Sequence, residues 1–353
     1  MPVPVPLLLV ALAGTVGLTS SAYAGPPRWA ELPDGAVQRI AIGSCAYPHD
    51  RQPVWTAIRR AAPDLVVLLG DNVYADTTEP TVLAEALERL GRRRNLRRLA
   101  RRTPFLTTWD DHDYGPNDAD GRHPAKEAMR QVTLDFFGAA SSDPRRTQQG
   151  GLYGAWSFGP PGQVLQVVLL DTRWGLSPRA IDPAGRGHST PADGPPRPDG
   201  PYRPGEGQIL DEAQWAWLEQ ALATPADLRI IGSSIPFATE ATGWETWSNF
   251  PTEQARLTEL LRDAGPVLVA SGDVHYGELS RYQGIYDLTS SGLSTDPYRL
   301  LPNRYRVDDV AYSGDHYAMV AVDWSAHSVA MAWVDPQGQV VASHQLGFST
   351  LDP

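Results

Sequence analysis

A single cysteine, Cys45, is all the thiol chemistry in this chain of 353 residues, so no internal disulfide can hold it together. Long apolar runs are equally scarce. The main one, Leu7 to Leu18, is uncharged but too short to span a bilayer. No Lys or Arg precedes it, and Ser21-Ala22-Tyr23-Ala24 follows with an A-x-A pattern that places cleavage after Ala24. This reads as an export leader, with a plain N-terminal tail or a buried first strand as the alternative. No later segment is long and apolar enough to cross a membrane, so no transmembrane span is expected in the mature chain. Positive charge is also short: 30 Lys and Arg against 41 Asp and Glu give a net charge of -11. That argues against a nucleic-acid-binding surface and against broad binding to anionic membranes. It does not exclude a phosphate substrate, because bound metal can reverse the local field.

What is present fits one large globular unit over residues 25–353 after a leader of residues 1–24. Hydrophobic residues make up 42% and charged residues 20%, and a chain of this length can bury a full core. The 32 Gly and 32 Pro point to long ordered loops. A lone thiol in an exported protein risks oxidation, so Cys45 is either buried as a small hydrophobe or committed to a metal.

Strand-like runs alternate with helical patterns through the first two thirds. The pattern predicts strands over Gln38–Gly43, Leu65–Gly70, Thr103–Trp109, Gln163–Leu170, Leu228–Gly232 and Pro266–Ala270. Helices are predicted over Val54–Ala62, Leu83–Arg102, Lys126–Phe137, Asp211–Ala223 and Gln254–Ala264. Ser177–Gly207, rich in Pro, Gly and Asp, reads as an irregular loop. The last third turns to alternating β patterns over Leu279–Tyr286, Ala318–Trp324, Val329–Val334 and Val340–Gln345. Two sheets packed face to face, with helices outside, satisfy this order.

Chemistry-bearing residues cluster after four of the predicted strands: Gly43-Ser44-Cys45; Gly70-Asp71-Asn72-Val73-Tyr74-Ala75-Asp76; Trp109-Asp110-Asp111-His112-Asp113-Tyr114-Gly115, with Asn117 and Asp118 beyond; and Ser271-Gly272-Asp273-Val274-His275-Tyr276-Gly277-Glu278. Open α/β sheets place ligands at such strand ends. One acidic loop is ordinarily a solvated surface. Four converging loops would suffer like-charge repulsion without a cation, and Lys or Arg do not interleave with them. Thiolate, phenolate and imidazole suit a borderline-soft or redox-capable ion such as iron; carboxylate and amide oxygens suit a harder one such as calcium. Zinc also fits Cys and His, and manganese is a further alternative.

These clusters, with Leu170-Asp171-Thr172-Arg173 and Leu288-Thr289-Ser290-Ser291-Gly292-Leu293, resemble in order the alkaline phosphatase D (PhoD-like) family of calcineurin-like metallophosphatases. The resemblance covers roughly residues 39–324. It implies an α/β four-layer αββα sandwich of two mixed sheets, a site holding Fe(3+) and Ca(2+), and hydrolysis of a phosphorylated small molecule or ester. Gly-Ser-Cys stands where the wider superfamily begins with Asp-x-His, as in PhoD-like enzymes. By the resemblance, Asp71 bridges the metal positions, Cys45, Tyr74 and His275 sit on the iron side, and Asp111 and Asp273 complete the ligand set. His112 takes the place of the His that protonates the leaving group. Only Gly25 to Gln38 separates leader and motif, so the extra β domain of longer members is expected to be missing.

Other residues carry two readings each. Arg173 reads as a bidentate phosphate contact or as the partner of a loop carboxylate. Asn72 and Asn117 read as metal or substrate ligands through their amide oxygens, or as turn residues. Glu278 reads as a partner of a ligand. Trp244, Trp247 and Phe250 form an apolar wall or a satellite core cluster. His188, His316, His327 and His344 fall outside the motifs. Against the hydrolase stand two alternatives, an exported phosphate- or metal-binding protein without turnover and a calcium-stabilised structural or adhesion domain.

Overall fold

Runs of β-branched residues and leucine lay down the centre of the molecule, and the strands they form define its sheets. The computed structural model describes residues 26–48, 52–181, 202–240, 243–295 and 300–353. The expected leader and His188 lie outside the described residues. In chain order the strands are β1 (Arg39–Gly43), β2 (Leu65–Leu69), β3 (Phe105–Thr108), β4 (Gly154–Phe158), β5 (Leu165–Leu169), β6 (Ala180–Ile181), β7 (Tyr202–Arg203), β8 (Leu228–Gly232), β9 (Val267–Ser271), β10 (Gly277–Tyr282), β11 (Ile285–Ser290), β12 (Arg306–Tyr312), β13 (Tyr317–Asp323), β14 (Ser328–Val334) and β15 (Val340–Gly347). The helices are α1 (Val54–Ala61), α2 (Pro80–Gly91), α3 (Arg94–Ala100), α4 (Asp111–Tyr114), α5 (Lys126–Phe136), α6 (Glu212–Leu222), α7 (Pro251–Arg262) and α8 (Phe348–Leu351).

One sheet has six strands in the order β15-β14-β13-β1-β2-β3, the other seven in the order β12-β10-β11-β9-β8-β5-β4. Both are mixed. β1, β2 and β3 run parallel, as do β11, β9, β8 and β5, while the remaining pairings are antiparallel. The parallel strands are buried on both faces, which is why they read as unbroken apolar runs.

Alternate residues of those runs feed three apolar layers. Ile40, Ile42, Val67, Val167, Ile230 and Leu268 fill the space between the sheets. Ala41, Val66 and Leu68, on the opposite face, pack against α1, α2, α3 and α5 through Trp55, Leu87, Leu96 and Leu134. Val168, Ile231 and Val269 pack against α6 and α7 through Trp215, Leu218 and Leu257. Helix, sheet, sheet, helix is the expected four-layer sandwich. Trp247 and Phe250 are buried in the third layer, as the core-cluster reading has them, while Trp244 is half-buried. Among the described residues no helix is long and apolar enough to cross a membrane.

Three departures from the sequence pattern have local causes. The helix predicted over Leu83–Arg102 is two helices that break at Arg92-Arg93, where Gly91, a weak helix former, meets three successive arginines. The single strand predicted over Leu279–Tyr286 is the hairpin β10–β11. Its turn residues, Gln283 (φ 47°) and Gly284 (φ 97°), both take the left-handed conformation that two-residue hairpins favour. β12 carries Asp308 and Asp309 at positive φ and shifts register against β10, so its alternation is broken and the pattern passes over it.

Candidate metal centre

The parallel strands deliver the four loops to one edge of the sandwich. Cys45 follows β1, Asp71 follows β2, Asp110 to His112 follow β3, and Asp273 and His275 follow β9. Close packing between the loops depends on glycine at two points. A Cβ on Gly70 (φ 103°) would sit 2.6 Å from the Asp110 backbone nitrogen, and one on Gly272 would sit 2.5 Å from Ser44 Oγ. Cys45, Asp71, Asp273 and His275 take positive φ values of 63°, 50°, 75° and 59°. Asp76 and Asp118 do the same. Each such residue costs on the order of 1–3 kcal/mol and persists only where the surroundings dictate it. This concentration of strain on ligand-type side chains marks the site independently of residue chemistry.

The side chains converge. One donor atom from each of Cys45, Asp71 and His275 lies within 4.8 Å of the others, and the same holds for Asp71, Asp111 and His112 and for Asp110, Asp111 and Asp273. Asp71 is shared by the first two groups and Asp111 by the last two, so the donor pockets adjoin. Tyr74 Oη meets His275 Nε2 at 3.0 Å, and Cys45 Sγ is 3.5 Å from Asp71 Oδ2. Ser291 Oγ lies 3.0 Å from Cys45 Sγ and accepts the His275 backbone N–H at 2.8 Å. Cys45 is 0% exposed, which shields the lone thiol.

The electrostatics of this array call for positive charge. Burial, with repulsion from Asp111 and Asp110, holds Asp71 well above the ordinary carboxylate range against the pull of His112. Burial, with Asp110 and Glu245, does the same to Asp273. Burial pushes Asp110 up to about 6 despite Arg173, and it pushes the Cys45 thiol upward, with Asp71 adding to the effect. Only Asp111 falls, to about 2, because His112 and Arg173 outweigh its burial. Asp71 Oδ1 and Asp110 Oδ2 are buried without a hydrogen-bond partner. Orphaned anionic oxygens beside a thiol, a phenol and an imidazole fit metal coordination.

His112 is half-buried, its Nδ1 2.6 Å from Asp76 Oδ1 and its ring 4.2 Å from that of Tyr74. Burial lowers its pKa, but Asp111, Asp71 and Asp76 overcome this and raise it to about 11. The carboxylate that holds His112 is Asp76, from the loop after β2. Asp113 accepts the backbone N–H groups of Asn72, Val73 and Asp110, locking two of the loops together.

Several sequence expectations take a different form. Arg173 is 0% exposed. Its Nε donates to Asp110 Oδ1 at 2.5 Å, and Nη1 and Nη2 donate to the two Glu245 oxygens, each at 2.8 Å. The guanidinium is spent on carboxylates and presents no face to a substrate, so the ion-pair reading describes it. Asn72 Nδ2 donates to Thr108 O and Asp113 Oδ2, and its Oδ1 lies 3.5 Å from Thr107 Oγ1. Its amide nitrogen braces the loop. Asn117 is exposed on the turn after α4. Glu278 is bonded to Ser280, Asn303 and Arg306, tying β10 to its neighbours rather than to a ligand.

The sequence motifs do not single out Glu245, Arg179 or Tyr202, and they include Asp118 without giving it a role. Glu245 pairs with both Arg173 and Arg179. The Asp118 N–H donates to Asp111 Oδ2 at 2.6 Å, and Tyr202 Oη donates to Asp118 Oδ2 at 2.7 Å. These residues come from segments far apart in the chain, and only the fold assembles them. Arg173 is held in turn by Asp171, whose carboxylate accepts the N–H groups of Leu152, Arg173 and Trp174. Asp171→Ala leaves three buried donors unpaired and is expected to cost roughly 3 kcal/mol or more. A urea unfolding midpoint equal to that of the parent would refute this.

A family model for PhoD-like phosphatases matches residues 40–296. The chain belongs to the PhoD-like phosphatase family. The match spans every loop of the PhoD-like site, from Cys45 to Ser291. This PhoD-like chain is therefore a metal-dependent hydrolase of phosphoric esters, which sets aside the two non-catalytic alternatives. No curated protein matches it in sequence. Among solved structures it is similar to PhoD, with TM-score 0.66 and 15% identity over 90% of this chain and 70% of that one. It is similar to GAP50, the anchor in the inner membrane complex of Plasmodium, with TM-score 0.58 and 15% identity over 88% and 89%. A dimetal phosphatase from Danio rerio gives TM-score 0.53 and 14% identity over 89% and 99%. At these identities the structural likeness speaks to the PhoD-like fold alone.

Proposed function

We propose that the chain cleaves phosphoric esters at two adjoining metal positions. Cys45, Asp71, Tyr74 and His275 surround the first; Asp71, Asp111 and Asp273 surround the second; His112 gives a proton to the leaving oxygen. The observation that carries this is the chain of shared donors: Asp71 falls both with Cys45 and His275 and with Asp111 and His112, and Asp111 falls in turn with Asp110 and Asp273. Iron suits the first donor set and calcium the second, with zinc or manganese as substitutes. Bound there, the metals supply Lewis acidity toward phosphoryl oxygens and an activated water.

The protein's own residues do the rest. Ser291 orients Cys45 and the His275 backbone together. Arg173 holds Asp110 and Asp111 in place through a buried ion-pair network. Asp76 fixes His112 at Nδ1, which leaves Nε2 for the leaving oxygen. Once bound cation offsets the surrounding carboxylates, the His112 imidazolium falls back toward a range in which it can release that proton.

The proposal extends to export with cleavage after Ala24 and to residues 25–353 forming one catalytic domain. The apolar leader-like run and the shielding of the lone thiol inside the site support export. Metal analysis of the purified chain, alongside turnover of p-nitrophenyl phosphate and its bis-ester, tests the assignment. Iron with calcium and turnover of either ester is the expected result; absence of turnover with iron, calcium, zinc or manganese loading would overturn it. Cys45→Ser is expected to weaken iron binding by about 10–100-fold or more while circular dichroism stays unchanged. Iron content equal to that of the parent would remove Cys45 from the ligand set.

A further inference from the structure

The net charge of -11 averages over a surface on which charge is segregated. From Arg92 to Arg102, seven of eleven residues are arginine and none is acidic. Arg92, Arg94, Arg98, Arg101 and Arg102 are exposed. Arg94, Arg98 and Arg101 follow the i, i+4, i+7 spacing that forms one stripe along α3, while Leu96 and Leu99 turn inward. α1 adds to the same face. Asn95 Nδ2 donates to Thr56 Oγ1 at 2.7 Å near the N-terminal ends, and Thr103 Oγ1 donates to Pro63 O at 3.3 Å past the C-terminal ends. The two helices therefore run side by side in the same direction, which sets the exposed Arg60 beside the α3 stripe.

This arrangement opposes stability. Arginines three and four apart repel along the helix. Arg92 is paired with Glu88 at 3.3 Å, but Arg94 stands in the first turn of α3, where the helix dipole disfavours cations, with no acidic residue in that turn and no side-chain cap. Folding alone gives no reason to keep such a pattern; a polyanionic partner does. We propose that the α1–α3 face docks on the headgroups of an anionic phospholipid bilayer.

Three features favour a bilayer. The arginines spread over two adjacent helices on the outer layer, which suits a broad surface of phosphates, each open to a guanidinium fork. Ala30 N–H donates to Ala100 O at 2.7 Å, the last residue of α3. That places Leu32, an exposed leucine, at the margin of the patch, where it can enter the headgroup region. Single-stranded nucleic acid would instead call for aromatic platforms among the cations, and the Arg92–Arg102 segment contains none. A cleft of about 60 Å³ at the edge of the patch is lined by Arg89, Arg93, Val73 and Tyr74. The inference rests on charge and geometry alone and stands or falls apart from the catalytic assignment.

Vesicle co-sedimentation with the full chain tests it. Vesicles of phosphatidylcholine with about one quarter phosphatidylglycerol should bind the protein, and pure phosphatidylcholine should not. Raising salt from about 0.05 M to about 0.5 M should release it. Each arginine near the surface contributes about fivefold, so R94Q/R98Q/R101Q should weaken binding roughly 100-fold. Turnover of a small soluble ester should not change, and thermal stability should hold or rise as repulsion is relieved. Should the triple variant fail to fold, R60Q/R98Q serves, with roughly 25-fold weakening expected. Equal binding by variant and parent would overturn the proposal, as would a preference for duplex DNA over anionic vesicles at equal phosphate.

Discussion

His112→Asn is expected to lower kcat by roughly 10²–10⁴-fold on an alkyl phosphoric ester and by far less on the p-nitrophenyl esters. The difference follows from what His112 is proposed to do. An alkoxide is a poor leaving group and needs a proton as its bond to phosphorus breaks; p-nitrophenolate departs without one. His112 is placed for this task on the one-turn helix α4, its ring against Tyr74 and its Nδ1 on Asp76 at 2.6 Å. Because it also lies within 4.8 Å of donor atoms on Asp71 and Asp111, a rival role is metal ligation. The two roles separate cleanly. A proton donor gives a loss that depends on the leaving group with metal content intact, whereas a ligand gives equal losses on both substrates together with depleted metal. Asp76→Asn should follow the first pattern at smaller size, since it removes the orienting acceptor and leaves the imidazole.

The second large effect is on stability. Arg173→Met is expected to cost roughly 3–5 kcal/mol, because it strands Asp110 and Glu245 as buried charges that have lost their main cation. Both carboxylates are almost wholly enclosed, so water cannot compensate. Urea unfolding reads the loss as a lowered midpoint at unchanged slope. Arg173→Lys should recover only part of it, since an ammonium cannot reach Asp110 and both Glu245 oxygens from one planar group. A cycle with Glu245→Gln should return a coupling of about 1 kcal/mol or more between positions 173 and 245. If Arg173 were a substrate contact instead, Arg173→Met would raise KM and leave the unfolding midpoint where it was.

The residue types needed for the metal centre were readable from the chain because they follow strand ends. Unbroken apolar runs such as Leu65–Leu69 identify buried parallel strands, and the chemistry of an α/β sheet gathers at the ends of those strands. The pattern thus places the loops after β1, β2, β3 and β9 on one edge. Other features resisted. The hairpin β10–β11 reads as one strand because Gln283-Gly284 is a weak turn signal within a continuous apolar pattern. Arg173 carries the same local signature whether it faces a phosphate or a carboxylate. Its environment is decided by Glu245, 72 positions away along the chain.

What the sequence determined by itself was composition and order: the alternation that builds two sheets between helices, and the four loops with the thiol, carboxylate, phenol and imidazole donors. Short-range periodicity encodes these, and periodicity survives in a linear string. Tertiary structure alone decided which donors share a neighbour, which carboxylate orients His112, which arginine is enclosed, and where the backbone is forced into the left-handed region. Those outcomes depend on distances of a few ångströms between segments far apart in the chain. The energies that set them, desolvation and ion pairing, come into force only once the segments have packed.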